Sequence, residues 1–170
     1  MDQRELRALQ GPLKDAYRTA PEQAQVIARA VGHVEPTEIA CKVVVAQSER
    51  RVGLHRATGG TGALACSADM LMEALVACAG VTLAAVATAT GVSIHSGQIT
   101  AEGTWDARGT LGVDRSASVG LTGVVLRFEL DSPADDDALQ RLITMTERYC
   151  VILQTLRAPV PVESHWERAS

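Results

Sequence analysis

From Met70 to Thr90 the chain runs for 21 residues with a single charge, Glu73. As a helix this run is long enough to span a bilayer. Its composition argues against that: it is built from Ala, Gly and Thr more than from Leu, Ile and Phe, and it is bounded by Asp69 and Gly91 instead of by Lys or Arg. A helix that is apolar on all sides must be buried in something. In a chain of 170 residues, about one domain's worth, cover for every face calls for a second subunit. The run therefore predicts a buried central helix in an obligate homodimer, with no membrane partner.

The rest of the composition agrees with a packed soluble domain. Hydrophobic residues make up 46% and charged residues 21%, with a net charge of −4, which excludes disorder as a description of the whole chain. A pI near 5.5 lacks the basic excess that neutralises phosphates, and aromatics at 3% leave little for base stacking, so no nucleic-acid partner is expected. The opening residues Met1-Asp2-Gln3-Arg4-Glu5-Leu6-Arg7 carry charge where an export signal has an apolar core, so a cytoplasmic location is expected. In that compartment four cysteines without a CxxC pair read as free thiols, not as a disulfide framework.

Periodicity sets the remaining elements. Residues 3 to 32 read as two short helices, punctuated at Gly11-Pro12 and ended by Gly32. From Glu38 the period becomes two, and Ile39, Cys41, Val43 and Val45 predict a strand. Ser48 to Arg51 suits a turn, a short strand follows to His55 or Arg56, and Ser67 is a suitable cap for the central helix. Residues 92–105 and 119–130 read as strands joined by a polar hairpin connection. Ser132-Pro133 and the acids at 135–137 predict a helix start. That helix reaches Tyr149, a second short one runs from Val151 to Leu156, and Val160 to Glu163 can close with a strand. The fold class is α+β, with antiparallel sheets around a long buried central helix; residues 1–36 read as an N-terminal helical extension and 37–170 as the main domain.

Few residues carry recognisable chemistry. Gly59-Gly60-Thr61-Gly62 lacks both phosphate-loop spacings, so it reads as a shaped connection. Neither the cysteines nor His33, His55, His95 and His165 show the short spacing of a zinc site, and no metal or cofactor is expected. Cys41 shares a strand face with Val43 and Val45, as a core residue would. Cys66 suits either packing or chemistry. Cys78 lies mid-helix, where composition alone says packing. Cys150 falls at a helix junction, where a free helix N-terminus lowers a thiol's pKa.

Two stretches together resemble one family. Ser67-Ala68-Asp69-Met70-Leu71-Met72-Glu73-Ala74-Leu75-Val76-Ala77-Cys78 is similar to the central-helix motif of the OsmC/Ohr family (osmotically induced protein C and organic hydroperoxide resistance proteins), and Glu147-Arg148-Tyr149-Cys150 resembles its second cysteine motif. The order of elements over residues 38 to 165 also matches. The resemblance implies an intertwined homodimer and a thiol-dependent peroxidase. Cys78 would attack an organic hydroperoxide and become a sulfenic acid; Cys150 would resolve it as a disulfide, and a dithiol, such as a lipoyl protein, would reduce that disulfide. It also implies an arginine beside Cys78, held by a carboxylate. Arg50, Arg51 and Arg56 are the candidate arginines. The position ten residues before Cys78, where the family's peroxidases carry the glutamate, is Ala68, and Asp69 is the nearest acid. The family's Cys-Pro-Val-Ser is Cys150-Val151-Ile152-Leu153 in this chain. The departures leave an alternative, a small-ligand-binding protein of the same fold without peroxidase turnover.

Overall fold

The computed structural model describes residues 1–45, 48–158 and 160–168. Helix α1 (Gln3–Thr19) leads by an extended segment to strands β1 (Val31–Glu35), β2 (Ala40–Val45) and β3 (Ser48–Gly53). The central helix α2 (Ser67–Thr90) follows, then β4 (Ser96–Trp105), a short turn of helix α3 (Ala107–Thr110), β5 (Leu121–Asp131), α4 (Asp136–Tyr149) and α5 (Val151–Arg157). The strands form two antiparallel sheets, β1-β2-β3 and the long hairpin β4-β5. The expected α+β class is what the chain adopts.

The core is a stripe on α2. Leu75, Ala79, Leu83, Val86 and Ala87 are its buried residues, and steps of three and four place them along one face. Val124, Leu126 and Phe128 of β5 alternate inward beneath that stripe; Leu142 of α4 and Leu153 of α5 close the other side. Each of Leu75 and Leu142 is essentially inaccessible, so truncating either to alanine leaves a cavity that costs about 2–5 kcal/mol. Gly91 ends α2 in the left-handed region at φ 73°, which a residue without Cβ adopts freely.

The central helix differs from expectation in one respect: it is not buried on every face within a single chain. Val81 is 73% exposed and Leu71 37%.

Several local expectations are corrected by longer-range packing. Gly11-Pro12 does not interrupt α1, which runs through Pro12. It starts in a capping box between Asp2 and Glu5, and Gln3 Nε2 donates to Ala89 O at 2.7 Å, docking it on the end of α2. The expected second helix does not form. Only Pro21–Ala24 make a single 3-10 turn; Val26 and Ile27 are 85% and 92% exposed, so a helix there would have no surface to bury its apolar face against. The chain extends instead, and Gly32, expected to end that helix, pairs with Val43 in the first sheet, where Cys41 Sγ would lie 3.0 Å from a Cβ.

Ser48 begins β3 instead of forming the turn, because Ser48 to Gly53 pair with Val45 to Ala40; the connecting residues 46–47 lie outside the described ones. That strand stops at Gly53, and His55 turns the chain by accepting the Ala57 N–H on Nδ1. The cap of α2 is Cys66 and not Ser67, which is already helical. Helix α4 starts later than Pro133: Asp135 caps it, its carboxylate accepting the Ala138 N–H at 2.7 Å, while the Ser132 hydroxyl donates to Ser93 O. No strand forms over 160–163, where Val160 and Val162 are exposed and no described strand lies alongside to pair with them.

Candidate active site

Cys150 is the residue on which the site turns. Its N–H donates to Thr146 O at 3.0 Å, ending α4, and its carbonyl accepts the Gln154 N–H at 3.0 Å, starting α5. With an extended ψ of 106° it bends the chain between the two helices. The first N–H groups of any helix have no partner within it. Here those of Val151 and Ile152 point toward Cys78 and lower its pKa, as those of Ile152 and Leu153 do for Cys150. Cys150 is the N-cap residue of α5, and no side chain makes a capping hydrogen bond there.

Cys78 reaches this bend because it lies beside the core stripe of α2, three residues after Leu75 and one before Ala79. It is half-buried, and Cys150 is fully buried. Burial is the largest single influence on Cys78 and pushes its pKa up. Acting against it are the Ile152 N–H, the Cys150 thiol, the Val151 N–H and the Thr82 hydroxyl one turn along α2. Together they win, and Cys78 is held below the ordinary thiol value. Cys150 moves the other way: burial raises it, and donating to Cys78 raises it further. The pair is therefore polarised: Cys78 gives up its proton at lower pH than Cys150. Both are free thiols.

A groove of about 630 Å³ with a mixed polar and apolar lining lies beside the cluster that holds the pair, though neither cysteine lines it. Val124, Leu126, Leu153 and Leu156 line it and also pack in the Cys78–Cys150 cluster; Leu71 and Leu121 extend it. Glu147 and Arg157 form an ion pair of 2.9 Å on its wall.

The other expected site residues lie elsewhere. Arg51 is engaged by two carboxylates, Nε to Glu35 at 2.8 Å and Nη2 to Glu38 at 2.6 Å. The Arg56 side chain lies against Gly62, at the glycine-rich loop. Asp69 stands nine residues before Cys78, and at about 100° per residue that is the opposite side of α2. It lines a separate cavity of about 510 Å³ with Met72, Glu73, Gly103 and Trp105. Arg50 pairs with Glu73 on that same side, tying β3 to α2. Among the described residues, none of these arginines is hydrogen-bonded to Cys78. Cys41 is half-buried on β2, and Cys66 is buried at the cap of α2.

Sequence reasoning located both cysteines and missed most of what surrounds them. Main-chain donors leave no residue signature. Thr82 does, at i+4 from Cys78, the spacing that puts two side chains on one helix face. The Glu147–Arg157 pair closes across a break between helices, and no helical spacing encodes it.

The comparisons fit this picture. No curated protein matches the chain by sequence. Among solved structures, an OsmC-like protein from Mycoplasma pneumoniae aligns with a TM-score of 0.67 at 17% identity, over 79% of this chain and 90% of that one. An organic hydroperoxide resistance protein from Legionella pneumophila gives 0.62 at 14% identity, covering 78% and 92%. OhrB of Bacillus subtilis, an organic hydroperoxide resistance protein, gives 0.58 at 15% identity, covering 79% and 93%. At these identities the likeness is one of fold. The model of the OsmC-like protein family matches residues 60–165, which hold α2, both sheet-B strands and both cysteines of the bend. The chain belongs to the OsmC-like protein family.

Proposed function

We propose that this chain is a thiol-dependent peroxidase that reduces organic hydroperoxides, working in the defence against oxidative stress. The observation that carries the reading is the polarised pair: Cys78, held below the ordinary thiol value, packed in one cluster with Cys150, which is pushed above it, next to a groove of about 630 Å³. The Cys78 thiolate attacks the terminal peroxide oxygen, the O–O bond breaks, and the organic fragment leaves as an alkoxide that takes up a proton to become an alcohol. Cys78 is now a sulfenic acid, oxidised by two electrons. The Cys150 sulfur then displaces its oxygen as water, forming the Cys78–Cys150 disulfide, and a dithiol such as a lipoyl protein returns both thiols. Names of structural neighbours as organic hydroperoxide resistance proteins support the substrate class.

The active form is a homodimer in the cytoplasm. Val81, apolar and 73% exposed on the central helix, is the residue a second copy would cover. In a family of this fold, α2 serves as a core helix, although its length and apolarity would also suit a membrane span. Activation of Cys78 rests in this reading on main-chain donors and Thr82. Arg51, Arg56 and Asp69 would reach it only through rearrangement or from the partner.

Trapping the intermediate tests the chemistry. In Cys150→Ser treated with one equivalent of cumene hydroperoxide and a carbon-nucleophile probe for sulfenic acids, mass spectrometry should find the adduct on Cys78. Labelling absent from Cys78, or present equally on Cys41 and Cys66, would leave the alternative: a member that binds an apolar ligand without turnover. The observation that favours that alternative is the lack, among the described residues, of a guanidinium hydrogen-bonded to Cys78.

A further inference from the structure

Two contacts join the two sides of the bend at Cys150. Arg157 Nη2 on α5 donates to Glu147 Oε2 on α4 at 2.9 Å. Gln154 Nε2, also on α5, donates to the main-chain oxygen of Glu147 at 2.7 Å. That oxygen lies in the last turn of α4, where helical carbonyls lack internal partners. Between these contacts Cys150 ends one helix and begins the next. The clamp thus closes over the one residue whose backbone sets the angle between α4 and α5.

The angle has a chemical consequence. If α5 swung relative to α4, the Val151 and Ile152 N–H groups would leave Cys78, and the Cys150 thiol would turn from it. We propose that Glu147, Arg157 and Gln154 are positioning residues for the thiol pair, acting as a clamp across the Cys150 bend that holds the first turn of α5 against Cys78. None of the three touches the reacting sulfurs. An ion pair this exposed, with side chains 50% and 36% accessible, contributes little to stability. Its worth here is geometric. The inference rests on the peroxidase reading only in taking Cys78 as the working thiol.

The two charges give the clamp a test that separates it from electrostatics through space. Removing the positive Arg157 would raise the pKa of Cys78 by direct charge alone, and removing the negative Glu147 would lower it. Loss of the clamp predicts that both move it upward. The measurement is the pH profile of Cys78 alkylation by iodoacetamide, read by mass spectrometry on full-length protein, for wild type, Arg157→Met, Glu147→Met, Gln154→Ala and Arg157→Lys. The expected result is a profile moved to higher pH in the first three variants, with alkylation near neutrality slowed about three- to tenfold. Arg157→Lys keeps the charge and restores most of the wild-type rate.

Opposite movements for Arg157→Met and Glu147→Met, or no movement in any variant, would overturn the clamp while leaving the peroxidase reading intact. A wild-type Cys78 that titrates as an ordinary thiol would overturn both. Circular dichroism identifies any variant that fails to fold; Gln154→Ala, which removes one exposed contact, is the mildest of the set and keeps the test available.

Discussion

Cys150 sits against Cys78 in one buried cluster, and the interaction of the two thiols moves them in opposite directions, Cys78 down and Cys150 up. Proton inventory follows directly. As pH rises, Cys78 loses its proton before Cys150 does. Alkylation at neutral pH should therefore modify Cys78 first, by about tenfold or more in rate over Cys150. Peptide mapping after brief treatment checks this, and equal labelling of the two would contradict it.

Replacing Cys78 by serine should free Cys150 of part of its shift. Burial, the larger cause, stays, but the hydrogen bond to a neighbouring thiolate and its charge are gone. The alkylation profile of Cys150 in Cys78→Ser should move to lower pH than in wild type. The sign for stability is opposite for the two groups. A depressed Cys78 contributes stability that is lost as pH falls through its folded pKa, whereas a raised Cys150 contributes stability that is lost as pH rises through its own folded value. Urea unfolding of Cys150→Ser, which retains only the first group, should accordingly show stability rising with pH on the approach to the ordinary thiol value.

Thr82 offers the cleanest side-chain test of how Cys78 is activated. Val is nearly isosteric and removes one donor to the sulfur. A hydrogen bond to a charged group is worth about 1.5–3 kcal/mol, so Thr82→Val should slow Cys78 alkylation near neutrality by roughly tenfold while changing melting temperature little. An unchanged rate would shift the weight of activation entirely to the main chain of α5.

Much of this was legible in the sequence, and the limits have physical causes. The central helix, the two long strands of the hairpin and the helix break at Cys150 are strongly periodic or sharply punctuated, and they formed close to where the pattern put them. Residues 21–31 did not: Val26 and Ile27 have no surface against which an apolar helix face could pack, and from Val31 the chain pairs with β2 instead. Both cysteines could be singled out by motif and element. Their polarity could not, since it comes from N–H groups exposed by a backbone bend.

The glycine-rich loop supplies a stability prediction that separates shape from chemistry. A Cβ on Gly60 would fall 1.8 Å from the carbonyl oxygen of Leu54, a backbone atom that cannot move alone, and the Gly60 N–H is bonded to His55 O. Gly60→Ala should cost about 2 kcal/mol or more in urea unfolding. At Gly123 nothing lies within 4 Å, and alanine there should cost less than about 1 kcal/mol.

Exposed Val81 tests the assembly. Apolar surface of this size on a central helix is what a second copy would bury. Sedimentation of the wild type should give a dimer, and Val81→Asp should shift it to monomer at micromolar concentration. A wild-type monomer would contradict the homodimer.

The central claim is that Cys78 is a peroxidatic thiol resolved by Cys150, and single-turnover thiol loss tests it most directly. Wild type, Cys78→Ser and Cys150→Ser are mixed with cumene hydroperoxide or with hydrogen peroxide, and free thiols are counted over time. The account predicts rapid loss of two thiols per chain in wild type with the organic peroxide, slower loss with hydrogen peroxide, and no fast phase in Cys78→Ser. Slow loss in all three proteins, with no preference between peroxides, would contradict it and leave the cysteines as packing residues.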